Sequence, residues 1–216
     1  MTAPPGQASL ADLIVRMDER GSLATIRGRL DAGDDPLQLI GECRLGMERV
    51  GALYEQGAYF ISALIMAGEI FREAAEILIP HLEAAPPRPK GAGKIVIATV
   101  KGDIHDIGKN IVITLLDTHG FAVVDLGVDV AAARIAEAVL GERPDLLGLS
   151  CLLTTGFESM AETIALVREQ TLGWPRRLPI VIGGAPVDQN VCDQAGADGW
   201  SDNAATGIDI VRGLLR

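Results

Sequence analysis

Before residue 84, apolar side chains return every three or four positions: Leu10, Leu13, Ile14 and Met17, then Leu37, Ile40, Leu45, Met47 and Val50, then Phe60, Leu64, Ile65, Ile70 and Ile77. That spacing gathers them on single faces of helices, and no period-two alternation interrupts it. Asp35-Pro36 supplies an N-cap followed by a first-turn proline, and Gly21, Gly33 and Gly57 punctuate the pattern. It predicts four helices packed as a small bundle over residues 1–84. The stretch from Ala84 to Gly93, rich in Pro and Gly, suits neither a helix nor a central strand, and residues 85–93 are expected to be a linker.

Beyond it the period changes. Short apolar runs at Ile95–Val100, Ala122–Leu126, Leu146–Leu149 and Ile180–Ile182 alternate with amphipathic segments. A weaker fifth strand is expected near Asp198–Ser201, followed by a last helix over Ala204–Leu214. This β-α-β alternation predicts that residues 94–216 form a five-stranded, doubly wound parallel sheet of the flavodoxin-like order 2-1-3-4-5, an α/β fold. Ligands of such folds sit at the carboxyl ends of the strands, so the loops after Val100, Leu149 and Ile182 are where chemistry is expected.

Composition narrows the classes. Hydrophobic residues make up 48% and charged residues 22%, enough apolar material for a core, while aromatic residues at 4% make that core aliphatic. A formal net charge of −10 opposes phosphate backbones and anionic lipid, so neither nucleic acid nor membrane is expected as a partner. Cys43, Cys151 and Cys192 form no CxxC pair, which supports neither a disulfide framework nor a zinc knuckle and fits a reducing cytoplasm. The first residues lack a basic, then apolar, leader pattern, and the longest apolar stretch, Tyr59 to Gly68, is about half a membrane span. A soluble cytoplasmic protein is expected.

The loop after the first strand runs from Lys101 to Asn110 and places Asp103 two residues before His105. One imidazole nitrogen can take a transition metal while the other donates to Asp103, which fixes the tautomer and raises ligand basicity. A lone His in a polar loop is more often only solvated or hydrogen-bonded. Gly102 and Gly108 complete neither GxGxxG nor GxxxxGK[ST], so a nucleotide-phosphate loop is not supported. The loop from Gly148 to Gly156 and the turn from Val181 to Pro186 carry small or hydroxylic side chains; each alone is a common strand end, with Gly183-Gly184 serving a turn. Together the two can line one side of a slot.

In order, Asp103, His105 and Gly108, then Ser150 and Leu152, then Gly183 and Gly184 resemble the Asp-x-His-x-x-Gly, Ser-x-Leu and Gly-Gly signature of the cobalamin-binding module of methionine synthase and the corrinoid proteins of methyltransferase systems. The segments Gly46–Gly51, Gly57–Phe60 and Met66–Glu69 are similar to that family's helical cap, so the resemblance spans nearly the whole chain. It implies a cobalamin, with its cobalt, bound with its own dimethylbenzimidazole displaced and inserted with the nucleotide tail into the α/β domain. His105 would be the lower axial metal ligand. Gly102, Asp103, Ile104, Asp106 and Gly108 would meet the cofactor from the same loop. Ser150 would hydrogen-bond the displaced base, Leu152 and Thr154 would line the tail slot, and Gly183 and Gly184 would keep it open where any Cβ would collide. Ala204 also matches a cofactor-contacting position. In the cap, Tyr54, Ile61 and Leu64 align with residues over the upper corrin face, although without the resemblance they read as ordinary bundle core.

One departure stands out. Methionine-synthase-like members continue the Asp–His pair with a hydroxyl six residues after the signature serine, where this chain has Gly156. The relay is expected to end at Asp103 unless Thr155 or a water substitutes, and Cys151 is read as a packing choice. Three functions compete: a methyl carrier, a subunit of an adenosylcobalamin mutase, which would need a substrate barrel, and a cobalamin sensor, which would need an output module. The cap favours the carrier. No acid–base pair or nucleophile triad is evident, so the chain reads as a non-catalytic corrinoid subunit. Its implied partners are a substrate-specific methyltransferase, an acceptor methyltransferase and a reductive activase.

Overall fold

The computed structural model describes residues 8–83 and 91–215, in two compact units, Met1–Ala84 and Ala85–Arg216. Most of the stretch expected to be a linker, 84–90, lies outside the described residues.

The first unit is four helices: α1 (Leu10–Val15), α2 (Glu19–Asp31), α3 (Pro36–Glu55) and α4 (Ile61–Glu83). Each early start has a local cause. Ser9 and Asp12 form a reciprocal capping box on α1, Asp18 accepts from the Gly21 amide of α2, and Asp35 caps α3 ahead of Pro36. Gly21 therefore lies inside α2 instead of breaking the chain; the break falls one turn earlier, at Met17, whose φ is 55°. Gly33 and Gly57 do follow helix ends.

The buried seams are Leu39, Cys43, Gly46 and Val50 on α3 and Ala63, Ala67, Ile70, Ala74 and Leu78 on α4, spaced three or four apart. Ile14 of α1 packs so closely on α3 that a Cβ at Gly46 would lie 2.8 Å from the Ile14 Cβ. Several of the large residues in the apolar repeat are not core. Leu45 of α3 is exposed, Phe60 just before α4 is 79% exposed and Ile65 of α4 is 68% exposed, because they lie off the faces that carry the buried seams.

Arg49 of α3 donates to Asp12 of α1 at 2.7 Å. That bond, with those from Ser9, holds the Asp12 carboxyl down at about 2 against an ordinary value of 3.8. A depressed folded-state pKa contributes stability above the unfolded value, and that stability is lost as pH falls toward the folded one. Asp12→Asn is therefore expected to lower the thermal midpoint of this unit near neutral pH, with the gap to wild type closing as pH drops from 3.8 to about 2. A gap independent of pH would contradict the assignment.

In the second unit the strands are β1 (Lys94–Thr99), β2 (Ala122–Asp125), β3 (Leu146–Ser150), β4 (Ile180–Gly183) and β5 (Gly199–Ser201). All pairings are parallel and the order is β2-β1-β3-β4-β5, as the alternation predicts. Helices α5 (Ile107–Thr118), α6 (Ala132–Glu142), α7 (Phe157–Gln170), α8 (Gln189–Ala195) and α9 (Ala204–Leu214) follow the strands. The core is aliphatic, built on Val96, Ala98, Leu147, Leu149, Ile180 and Ile182 with Ile135, Met160 and Ile164 from the helices.

Asp198, expected in the fifth strand, precedes it. It accepts from the Ile180 amide at 2.7 Å and pairs with Arg168 and Arg177, clamping the start of β4. Among the described residues no helix is long and apolar enough to cross a membrane.

Candidate functional site

Register places Thr99, Ser150 and Gly183 side by side at the carboxyl edge of the sheet. From that edge the loop after β1 turns outward, carrying Asp103 and His105. The buried hydroxyl of Thr99 donates to the His105 carbonyl at 3.1 Å, tying the far end of the loop to the strand.

Asp103 is fully buried, and its carboxylate is saturated. One oxygen accepts from the His105 amide at 2.9 Å and from His105 Nδ1 at 2.6 Å; the other accepts from the amides of Leu152 and Leu153. Burial alone would raise its pKa. The bonds from the His105 and Leu152 amides, joined by the imidazole and the Leu153 amide, outweigh burial and hold it below the ordinary carboxylate value. An ionised Asp103 can only accept, so Nδ1 carries a proton toward it, and in the neutral imidazole the lone pair is then on Nε2. His105 is half exposed, at 48%, which leaves Nε2 as an available donor atom beside the sheet edge.

The place of the missing relay hydroxyl is explained by Cys151. Its side chain is fully buried, and a Cβ on Gly156 would lie 2.7 Å from the Cys151 sulfur. Cysteine at 151 and glycine at 156 share one space. Burial, reinforced by the Asp103 charge, pushes the Cys151 thiol up to about 11, so it stays protonated and donates to the Leu153 carbonyl. Thr155 is exposed, and among the described residues Asp103 Oδ2 accepts from peptide amides, with no side-chain hydroxyl donating to it.

The two glycines after β4 do different things. At Gly184 a Cβ would stand 1.9 Å from the Cys151 carbonyl oxygen, and φ is +147°, so its lack of a side chain serves the backbone of the neighbouring loop. At Gly183 the nearest neighbour of a Cβ would be the Ser201 carbonyl at 3.4 Å, an ordinary contact. The protein itself would accept a side chain there, and the space over β4 is open. Ser150 is half buried at the same edge, and Ala204 opens α9 just beyond β5. Ile104 is 72% exposed, Leu152 and Thr154 are also exposed, Asp106 immediately precedes α5 and Gly108 lies in its first turn. An imidazole donor held by a carboxylate, an uncrowded glycine and small or hydroxylic neighbours together fit a corrinoid with a nucleotide tail.

In the helical unit, Tyr54 at the end of α3 and Ile61 at the start of α4 are exposed, whereas Leu64 packs partly on the bundle core. The reading of all three as ordinary core therefore fails for the first two.

Sequence reasoning passed over Thr99, Asp129 and the Lys109–Asp125 pair. Lys109 is buried, with Nζ 2.6 Å from Asp125, whose other oxygen accepts from the Gly127 amide. A lone lysine in the apolar run of α5, facing an aspartate at a strand end, was the available signal.

Two family models described as B12 binding domain match the chain, over residues 93–209 and 7–79. Trimethylamine corrinoid protein 2 of Methanosarcina mazei is 34% identical over 210 residues, covering 97% of this chain and 95% of that one. The structure of the Methanosarcina barkeri monomethylamine corrinoid protein superposes with a TM-score of 0.84 at 32% identity, covering 95% and 96% of the two chains. A methanol:cobalamin methyltransferase complex from Methanosarcina barkeri matches at a TM-score of 0.50 and 32% identity, covering 96% of this chain and 78% of that one. With both halves matched by B12 binding domain models, and relatives and a solved structure covering almost its whole length, the chain belongs to the family of cobalamin-binding corrinoid proteins.

Proposed function

We propose that this chain is a methyl carrier that holds cobalamin through His105, with the cofactor's own base displaced into the α/β unit, and works between a methyltransferase that loads the methyl group and one that removes it. When bound, cobalamin supplies a cobalt atom that can take up and release a methyl group. The observation that carries the reading is the His105–Asp103 unit: the imidazole is anchored through Nδ1 to a buried carboxylate while Nε2 remains free at the ligand edge of the sheet.

In this reading Asp103 keeps the ring oriented and its coordinating nitrogen basic. Ser150 offers a hydroxyl to the displaced base, Gly183 leaves room for the tail, and Gly102, Ile104, Asp106, Gly108, Leu152, Thr154 and Ala204 border the same space. Tyr54, Ile61 and Leu64 supply apolar surface that would keep water from the methyl–cobalt bond. The relatives named for methylamines and methanol support methyltransferase partners; a substrate-specific enzyme, an acceptor enzyme and a reductive activase are the partners this reading calls for. The chain carries the group and its partners supply the substrates. The carrier is expected in the cytoplasm.

His105→Ala tests the reading. The variant is expected to retain corrinoid through its tail and to show an altered visible spectrum in the methylated state. An unchanged spectrum would mean that another group occupies the lower axial position.

A further inference from the structure

Asp129 sits in the loop between β2 and α6, on a different segment from the signature motifs. It is exposed and adopts a left-handed backbone, with φ at 53°. A non-glycine residue pays for that conformation, aspartate less than most, and the cost is retained where surrounding contacts require it. Here two contacts do. The Asp129 carboxylate accepts from the Gly102 amide at 2.8 Å, and the Asp129 amide donates to the Asp103 carbonyl at 2.9 Å. One residue thus grips the peptide on both sides of the Gly102–Asp103 step. Gly102 is itself at φ +87°, which turns its amide toward Asp129.

Neighbouring bonds continue the strap. The Thr99 amide donates to the Gly127 carbonyl, the Val130 amide donates to the Thr99 carbonyl, and Val100 bridges Val130 in parallel. The β2–α6 loop is therefore sewn along the end of β1 and the first half of the His105 loop, while Thr99 holds the second half.

We propose that Asp129 is a positioning residue for the His105 imidazole: it fixes the Gly102–Asp103 peptide, and thereby the direction from which Asp103 meets Nδ1. The inference rests on His105 being the cobalt ligand for its consequence, though not for its geometry. A charged acceptor holding a backbone amide is worth more than a neutral one, and its loss should let the Gly102 amide open about tenfold more often.

The test compares Asp129→Gly with Asp129→Asn in the full-length chain. Glycine adopts the left-handed backbone freely and removes only the carboxylate, so the fold should persist by circular dichroism. In the cofactor-free protein, Asp129→Gly is expected to raise Gly102 amide hydrogen exchange about tenfold and to move the His105 ring nitrogen signals from their wild-type positions. Loaded with methylcobalamin, it should show a smaller His-coordinated fraction in the visible spectrum. Asp129→Asn keeps an acceptor oxygen and tolerates the same backbone, so its ring signals and His-coordinated fraction should match wild type, while its Gly102 amide, held by a neutral acceptor, should exchange at a rate between those of wild type and Asp129→Gly. A folded Asp129→Gly with wild-type ring signals would overturn the proposal, as would an Asp129→Asn variant whose His105 ring signals depart from wild type. If Asp129→Gly did not fold, Asp129→Ala, which also removes the carboxylate, would be read in its place, with the same expected and overturning results. The cofactor-free ring signals do not involve cobalt, so failure of the ligand assignment would show separately, in the His105→Ala spectrum.

Discussion

Gly183→Val is expected to fold like the native chain and to take up no corrinoid, while Gly184→Val is expected to lose the fold of the α/β unit itself. At Gly183 the backbone is the end of β4, where a β-branched residue is well suited, and a Cβ would meet only the Ser201 carbonyl, at 3.4 Å. The added methyl groups would project into the open space over the strand, where the tail is proposed to lie. At Gly184 the added carbon would run into the Cys151 carbonyl at 1.9 Å with φ at +147°. Backbone strain and overpacking together should cost about 3 kcal/mol or more. Corrinoid content per chain by absorbance, alongside denaturant unfolding, separates the two. A Gly183→Val protein that binds one corrinoid per chain would displace the slot from β4.

Asp103→Asn is expected to destabilise the α/β unit despite being isosteric. The carboxylate accepts four hydrogen bonds from His105, Leu152 and Leu153. An amide offers one accepting oxygen and brings two donors of its own, so at least one side of the arrangement loses its partner inside the fold. Leaving buried donors unsatisfied should cost the α/β unit about 2 to 4 kcal/mol, read from its denaturant midpoint. The His105 ring should also lose its fixed tautomer, and the visible spectrum of the loaded protein should change with it.

The pH dependence has a definite sign. Although burial pulls it upward, the Asp103 pKa lies below its ordinary 3.8 because the bonds from the His105 and Leu152 amides prevail. The ionised group therefore stabilises the fold fully above 3.8, and its contribution disappears as pH falls through the lower folded-state value. The deficit of Asp103→Asn should be largest near neutrality and shrink under acid. A deficit that grew on acidification would contradict the hydrogen-bonded, ionised Asp103.

Cys151 and Gly156 show why a motif read residue by residue can mislead. The sequence departs from the family pattern at 156, which reads as a lost hydroxyl. In the fold the sulfur of Cys151 already fills the space a side chain at 156 would need, and two peptide amides satisfy Asp103. In this chain the small residue at 156 is what Cys151 requires in packing.

Strand order, the helical first unit and the loop bearing Asp103 and His105 were legible from the chain alone, because each depends on local periodicity or on residues close together in sequence. Period-two and period-three-to-four patterns mark which elements form, and the β-α-β alternation leaves few topologies. Which bulky residues of α3 and α4 are core was not legible: Ile61 and Ile65 repeat with helical spacing as the buried seam does, and only packing against α1 and α3 shows that the alanines face inward. The partners of Asp103 across 49 and 50 residues, the grip of Asp129 on Gly102 across 27, and the different demands at Gly183 and Gly184 likewise arise where distant segments meet. A sequence carries the local preferences of its residues, whereas the occupancy of a given few cubic ångströms is decided only once the segments that compete for it are brought together.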